Sequence, residues 1–425
     1  MAAIKETPKA ILQARLNVDL SGRQLSIREA VDYCMTLQDD LMPVERLPVG
    51  QALDRVLRED VLSRNPVPPF SKSLVDGYAI RYPDEGGLSE PCAVCLRVRG
   101  RVAAGDVPWA GLAPGEAVRI MTGAPIPDGT DRVVKIEQVM DAGATVFIRP
   151  DRHQNSYILQ AGSDFQKNRV ILSAGETVKP GDLAMMAACG CSDVLVSSKP
   201  SLGIISIGNE IIPVNGSRHP GQTWDVIGPL ISAFSKKAGA EAEPVVVARD
   251  DVGAIIDAVA KLAGCDILIL IGGMANGDFD LTRHALDKLN VQDRFKGTDI
   301  LSTRRVFFGQ ADGRPVWALS GPAAAVMTNF LLLIRPVIDY MLGKSACGLQ
   351  TGILPLLSDF CASGCYKRFL PGVLNWHEGQ SGVTLFEEQR FGYFSPMQAA
   401  DVLVELPPDQ SEFKAGDKLK VYYID

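Results

Sequence analysis

The chain has 425 residues, of which 46% are hydrophobic and 22% are charged, and these proportions exclude long stretches of disorder. Its 43 basic and 50 acidic side chains give a formal net charge of −7, and no Lys- or Arg-rich block of the kind that binds nucleic acid is present. The length predicts about three domains, at roughly 100–200 residues each.

Cysteine and histidine usage narrows the chemistry further. The nine cysteines are odd in number, which argues against a complete disulfide framework, and none of the four histidines has metal-ligand spacing. Residues 1–9 lack the apolar core of a signal peptide, and no run approaches the ~18 apolar residues of a membrane-spanning helix. We therefore expect a cytoplasmic protein with no nucleic-acid and no membrane partner.

The first 200 residues predict helices that flank a region of short strands. Ser26 and Glu29 form the sequence pattern of a capping box, so a helix begins there. A second helix is predicted over about residues 49–57, and alternating runs punctuated by Gly and Pro predict strands over residues 76–148. Helical spacing returns at about residues 177–189, so the β region is interpreted as an insertion into a helical domain.

From residue 202 onward, strands and helices alternate. Strands are predicted at residues 202–206, 245–247, 266–271 and 316–319. Helices are predicted at residues 226–238 with Gly239 as their stop, from Asp250 or Asp251 to Gly264, from about Leu281, and over residues 323–342. This alternation is typical of a largely parallel sheet that is covered on both faces.

The predicted fold class is therefore a multidomain α/β plus β protein. Residues 25–70 and 150–199 form a discontinuous helical and linker domain, and residues 71–149 form an inserted β domain. Residues 200–343 form a three-layer α/β domain, and residues 344–425 form a C-terminal, barrel-like β domain.

The strand at residues 266–271 runs directly into Gly272 and Gly273, followed by Asp278 and Asp280. Open α/β sheets bind ligands at the carboxyl ends of their strands, and three other predicted strands end in polar or glycine-bearing loops at the same edge. Glycines allow a phosphate or a ring to approach the backbone, and aspartates suit a divalent cation. The alternative is a tight turn with solvated acids.

Two motifs elsewhere resemble a known family. The first joins Pro69 and Phe70 to an Asp-Gly-Tyr-Ala run that begins at Asp76. The second, residues 118–129, reads Val-Arg-Ile-Met-Thr-Gly-Ala-Pro-Ile-Pro-Asp-Gly and places a threonine hydroxyl, Thr122, beside a rigid turn. Together they resemble the molybdopterin molybdenumtransferase family, which is called MoeA in bacteria and the gephyrin E-domain in animals, and the resemblance covers about residues 25–425.

The resemblance implies an activity and its requirements. Molybdate would be inserted into adenylylated molybdopterin with release of AMP, with Mg²⁺ or another divalent cation, by a homodimer whose site joins the α/β domain of one subunit to the first two domains of the other. Candidate partners are the molybdopterin adenylyltransferase and molybdoenzyme-maturation proteins. The implied catalytic residues are Asp76, Thr122, Glu210, Asp250 and Asp280. The implied ligand-binding residues are Gly272, Gly273, Asp278, Arg304, Arg305, Ser320 and Gly321, and the implied metal ligands are Glu210, Asp278 and Asp280.

Several positions differ from the family pattern. Residues 301–305 read Leu-Ser-Thr-Arg-Arg where the family has Lys-Pro-Gly-Lys-Pro, and residues 319–323 read Leu-Ser-Gly-Pro-Ala where it has Leu-Pro-Gly-Asn-Pro. Asn209 replaces an aspartate. Beside the double glycine, Ile271 replaces a serine, and Met274 and Ala275 replace a Val-Ser pair. The alternative function is therefore a weak or inactive relative that binds molybdopterin or a protein partner as a scaffold, carrier or regulator.

Overall fold

A computed structural model describes residues 25–38, 41–81, 94–107, 111–148, 155–274, 281–362, 366–377, 379–386 and 393–424 of the chain. The chain forms two compact units. The larger unit comprises Met1–Glu45, Asp54–Arg58 and Val196–Asp425, and the smaller unit comprises Arg46–Leu53 and Glu59–Leu195. The chain therefore leaves the larger unit and later returns to it.

Short strands dominate the first half of the chain, and most of those in the smaller unit belong to one sheet. The strands are β1 (Val44–Pro48), β2 (Val61–Leu62), β3 (Lys72–Ser73), β4 (Gly77–Ile80), β5 (Val94–Val102), β6 (Glu116–Ile120), β7 (Arg132–Lys135), β8 (Val139–Asp141), β9 (Thr145–Ile148), β10 (Ile158–Leu159), β11 (Val170–Leu172) and β12 (Asp193–Ser197). The order β7-β4-β6-β5-β9-β8 makes a six-stranded sheet. Tyr78 and Ala79 belong to different apolar clusters, so both faces of this sheet are packed.

The predicted helices of this half are confirmed in two cases and wrong in one. Helix α1 (Ile27–Thr36) begins with the predicted capping box, in which Ser26 accepts from the backbone of Glu29 and Glu29 accepts from the backbone of Ser26. Helix α2 (Pro180–Ala188) lies within the predicted range. The predicted helix over residues 49–57 is only a 3₁₀ turn, Val49–Gln51, because Asp54 adopts a left-handed backbone with φ of 61° that a helix cannot contain.

Strands and helices alternate in the larger unit, as predicted. The strands are β13 (Ser201–Ile207), β14 (Ile211–Ile212), β15 (Thr223–Trp224), β16 (Glu241–Ala242), β17 (Val246–Ala248), β18 (Ile267–Ile271), β19 (Gln292–Lys296), β20 (Val306–Ala311) and β21 (Arg314–Leu319). The helices are α3 (Ile227–Ala238), α4 (Val252–Lys261), α5 (Leu281–Lys288) and α6 (Ala323–Met341). Helix α3 ends at the predicted Gly239, whose φ of 94° only glycine adopts readily.

The seven-stranded sheet of this unit is largely parallel, as predicted, and has an antiparallel edge. Its order is β16-β13-β18-β21-β20-β19, with β17 also paired to β13, and the pairs among β13, β16, β17, β18 and β21 are parallel. Strands β19 and β20 pair antiparallel to each other, as do β20 and β21. The sequence predicts no strand at this antiparallel edge, because β19 is mostly polar and β20 lacks the alternation of a half-buried strand.

Apolar side chains cover both faces of this sheet. Ile204 and Ile269 belong to a cluster that includes α3 and α6, whereas Ile205 and Leu268 belong to a cluster that includes α4 and α5. Helix α6 contains a π-helical segment, Phe330–Ile334. By length and composition α6 is long enough to cross a membrane, contrary to the expectation that no such run exists, but 83% of its apolar window is buried inside the protein.

The C-terminal part of the larger unit is antiparallel. Its strands are β22 (Thr351–Pro355), β23 (Phe360–Cys361), β24 (Arg368–His377), β25 (Gln380–Leu385), β26 (Val402–Leu406), β27 (Glu412–Phe413) and β28 (Lys418–Tyr423), with a short helix α7 (Ser395–Gln398). Five strands form a sheet of order β22-β28-β26-β24-β25. A bridge between Leu356 and Val383 joins the chain after β22 to β25, so the two ends of this order meet.

Candidate functional site

Four loops leave the carboxyl ends of neighbouring parallel strands in the larger unit. Strands β17, β13, β18 and β21 lie side by side and point in one direction, so the loops that follow them share one sheet edge. The predicted convergence of these four loops is therefore confirmed. We call this the carboxyl edge, and six of the predicted site residues lie on its loops: Glu210, Asp250, Gly272, Gly273, Ser320 and Gly321.

Asn209 connects two of these loops. Its backbone N–H donates to Oδ2 of Asp250 at 3.0 Å, and the backbone N–H of Asp250 donates to its amide oxygen at 3.3 Å. Where the family resemblance gives a carboxylate, this chain thus has an amide that holds Asp250 in place without adding negative charge. Glu210, the next residue along the chain from Asn209, is exposed. A Cβ on Gly208 would lie 2.7 Å from Oε2 of Glu210, so the Glu210 carboxylate lies over that glycine.

The double glycine at the end of β18 packs against the protein itself. Gly272 has a φ of 103°, and a Cβ there would lie 2.2 Å from the carbonyl oxygen of Ile207. Gly273 has a φ of 63°, and a Cβ there would lie 2.5 Å from Oγ1 of Thr282, which donates a hydrogen bond to the Gly272 carbonyl at 2.9 Å. These contacts require glycine for internal packing, whereas close approach of a ligand to the same glycines stays a prediction.

Two predicted carboxylates, Asp278 and Asp280, lie outside the described residues, as does Ala275. Within the described ranges, no group of three or more His, Cys, Asp or Glu side chains is arranged to hold a metal ion. The predicted metal set of Glu210, Asp278 and Asp280 therefore stays a prediction, with Glu210 as its described member.

The loop before β20 carries Arg304 and Arg305, and both side chains are exposed. They line a cavity of about 590 Å³, whose other lining residues are Leu301, Ser302, Ser320, Pro322 and Ala325. Helix α6 begins at this cavity without a side-chain cap, so its first N–H groups add partial positive charge. Gly321 is exposed, with open space where a side chain would stand. The predicted residues Arg304, Arg305 and Ser320 thus meet at one cationic cavity.

A second cavity, of about 190 Å³, shares the two arginines and adds cations that the sequence does not predict. Arg283 and Lys296 lie on its wall, above an apolar floor that includes Phe307. The Arg283 guanidinium lies 4.8 Å from the centre of the Phe307 ring and 3.0 Å from Asp293. Neither cation belongs to a motif. Placing Lys296 in this cavity from the sequence would require a prediction of β19, and the sequence does not predict that strand.

Asp76 and Thr122 form a pair in the smaller unit. Both the backbone N–H and the hydroxyl of Thr122 donate to Oδ1 of Asp76 at 2.7 Å. These two hydrogen bonds lower the pKa of Asp76, with a smaller contribution from Arg119. Gly77 permits this geometry, because a Cβ there would lie 1.9 Å from the carbonyl oxygen of Val134 on the adjacent strand. The structure therefore brings together the two residues that the motifs single out, as an ionised and oriented carboxylate.

Comparisons with family models cover the α/β sheet and the β-rich segments of the chain. Residues 203–340, which carry most of the seven-stranded sheet and its carboxyl edge, match the family model of a probable molybdopterin binding domain. Residues 25–190 match the MoeA N-terminal region (domain I and II), and residues 354–424 match the MoeA C-terminal region (domain IV). The chain belongs to the MoeA family.

Relatives resemble the chain over nearly its whole length. The molybdopterin molybdenumtransferase of Staphylococcus aureus strain Mu50 is 29% identical over 398 residues, which cover 93% of this chain and 95% of that protein. The protein of the same name from Staphylococcus epidermidis strain RP62A is 28% identical, with the same coverage. The crystal structure of the molybdopterin biosynthesis MoeA protein from Pyrococcus horikoshii is 28% identical, has a TM-score of 0.79, and covers 95% of this chain and all of its own.

Proposed function

We propose that this protein is a molybdopterin molybdenumtransferase, an enzyme of molybdenum cofactor biosynthesis. It inserts molybdate into adenylylated molybdopterin and releases AMP. The observation that carries the proposal is the cavity of about 590 Å³ with two arginines at the carboxyl edge, in a chain whose full-length relatives bear that enzyme name. Both substrates are anions, and this cavity offers the cationic groups that a chain of net charge −7 must supply locally.

Arg304 and Arg305 bind the oxyanion groups of the substrates. Neither guanidinium is paired with a carboxylate in the part of the chain that the structure describes. An arginine presents a planar fork of N–H donors, which suits phosphate and molybdate oxygens although it differs from the point charge of a lysine. The uncapped N–H groups of α6 and the Ser320 hydroxyl complete the cavity on its other side.

Glu210, with Asp278 and Asp280, holds Mg²⁺ or another divalent cation. The carboxylates of the described residues suit a hard cation. The Glu210 carboxylate is exposed at the carboxyl edge, and Asn209, its neighbour in the chain, holds Asp250 by a hydrogen bond. When bound, such a cation neutralises charge that develops on the phosphate during cleavage. Asp250 keeps a fixed carboxylate near the reacting phosphate, where it orients water.

The Asp76–Thr122 pair is the second half of the site in a homodimer. We propose that this pair from one subunit faces the carboxyl edge of the other, as the family resemblance implies. Because Thr122 holds the pKa of Asp76 down, the carboxylate stays ionised at neutral pH. Its Oδ2 accepts no hydrogen bond from the described residues, so this oxygen can orient a substrate hydroxyl or water.

We also propose the finer organisation that the sequence predicts. The domains are residues 25–70 with 150–199, residues 71–149, residues 200–343 in three layers, and residues 344–425 as a barrel-like domain. The protein acts in the cytoplasm, without a nucleic-acid or membrane partner. It receives its substrate from the molybdopterin adenylyltransferase and delivers the product to molybdoenzyme-maturation proteins.

The test is restoration of cofactor synthesis in a bacterium that lacks its own molybdenumtransferase. The wild-type chain should restore molybdoenzyme activity, and Asp280→Ala should not. Asp257→Ala, which removes an exposed carboxylate from helix α4, is the matched control and should behave as wild type. A folded wild-type protein that fails to restore activity would refute the proposed reaction.

One observation favours the second candidate, a molybdopterin-binding scaffold. Ile271 is 3% exposed within the apolar core at the end of β18, where the family resemblance gives a hydroxyl side chain. That polar contact is therefore absent from this position. Titration with molybdopterin and with adenylylated molybdopterin separates the candidates, because a scaffold binds one of them without releasing AMP.

A further inference from the structure

The loop that carries the two arginines has a fixed backbone. Gly297 begins it with a φ of 73°, and a Cβ there would lie 2.5 Å from the Arg304 carbonyl oxygen. The Thr298 N–H donates to the Thr303 carbonyl at 3.2 Å, and their hydroxyls also contact each other. The N–H of Leu301 donates to the carbonyl of Lys367 at 3.2 Å, next to a bridge between Ile300 and Lys367. The residues just before β24 therefore clamp this loop.

The side chains of the two arginines differ in their restraint. The Arg304 guanidinium lies over the ring of Tyr366, 4.4 Å from the ring centre. Arg305 has no ring, carboxylate or hydrogen-bond partner for its side chain among the described residues. Tyr366 is half-buried and adjoins Lys367, so the same stretch of chain holds the loop backbone and one of its guanidinium groups.

We propose that Tyr366 is a positioning residue, which orients Arg304 so that a tetrahedral oxyanion binds at the arginine-lined cavity. This inference rests on the proposed function. An exposed arginine loses side-chain freedom when it binds an anion, and stacking on a ring removes part of that loss in advance. The Tyr366 hydroxyl makes no hydrogen bond within the described chain, so the ring alone supplies the restraint.

The oxyanion can come from two sources, molybdate itself or a phosphate group of the adenylylated substrate. Equilibrium dialysis with sodium molybdate and with inorganic phosphate measures the two separately. Tyr366→Leu should weaken binding of the preferred anion by about two- to five-fold, the size expected for an exposed cation–π contact. It should raise the KM for the substrate that carries that anion and leave kcat nearly unchanged. Tyr366→Phe should retain wild-type affinity because it keeps the ring.

A double-mutant cycle tests whether Tyr366 acts through Arg304. In an Arg304→Gln background, Tyr366→Leu should have no further effect on anion affinity. Trp376→Leu is the matched control, since Trp376 is an aromatic residue on β24 that is 78% exposed and has no cation over its ring among the described residues. Equal unfolding temperatures establish that the variants are folded.

The outcomes separate this inference from the function on which it rests. Additive losses in the cycle, or equal affinities of Tyr366→Leu and wild type, would overturn the positioning role while leaving the transferase intact. A wild-type protein that binds neither molybdate nor phosphate and does not restore cofactor synthesis would overturn both. A loss confined to Tyr366→Leu, and absent in the Arg304→Gln background, supports the inference.

Discussion

Replacing Gly272 by Ala should destabilise the larger unit because of internal packing. The φ of 103° at this residue costs an L-amino acid about 1–2 kcal/mol. The added Cβ would stand 2.2 Å from the Ile207 carbonyl oxygen, and relieving such a clash by moving backbone costs about 1–3 kcal/mol. Together these give a loss of about 2–5 kcal/mol, or an unfolding temperature lower by roughly 5–15 °C.

The assay is hydrogen exchange of peptides that cover β18, alongside thermal unfolding. Gly264→Ala is the matched control at the other end of the same strand, because a Cβ there meets nothing within 4 Å and the residue has no left-handed φ. It should be neutral or stabilising by about 0.5 kcal/mol. If Gly272→Ala matches this control in stability and loses only ligand binding, then ligand approach rather than packing explains the glycine.

Three further changes have defined outcomes. Although burial alone would raise the pKa of Glu405, hydrogen bonds, first among them that from Tyr422 at 2.8 Å, hold it below its ordinary value. Glu405→Gln should therefore cost about 1 kcal/mol at pH 7, and progressively less as the pH falls below the ordinary glutamate value of 4.5 and through the lowered pKa of the folded state. Urea unfolding that shows a pH-independent difference would contradict this. Thr122→Val should raise the pKa of Asp76 and lower the rate of molybdate transfer by about 10- to 100-fold. Thr122→Ser keeps the hydroxyl and should retain the lowered pKa and the wild-type rate. Equal transfer rates of the two variants would exclude a role for the hydroxyl in transfer. Ser26→Ala should lower the free energy of unfolding by about 1 kcal/mol and Ser26→Asn should not, as measured by urea unfolding; identical midpoints would mean that the capping box contributes nothing.

Local patterns in the chain predict most elements of the larger unit. The capping box at Ser26, the stop at Gly239 and the continuous apolar run of β18 each depend on a few neighbouring residues. Strands β19 and β20 are not predicted, because β20 joins the sheet by pairing with β21, and β19 joins it by pairing with β20, rather than through an alternation of their own residues. The helix predicted over residues 49–57 fails because of one left-handed residue, Asp54.

The candidate site shows the same division between local and distant causes. Motifs identify Asp76 and Thr122, 46 positions apart, and the strand–loop pattern identifies Gly272. Tertiary structure alone reveals that Asn209 holds Asp250, that Gly272 packs on Ile207, and that Tyr366 lies over Arg304. Periodicity and capping act between residues a few positions apart, so they can be predicted from the sequence. The partners of a site side chain depend on strand order and on which distant loops meet, which only folding brings about.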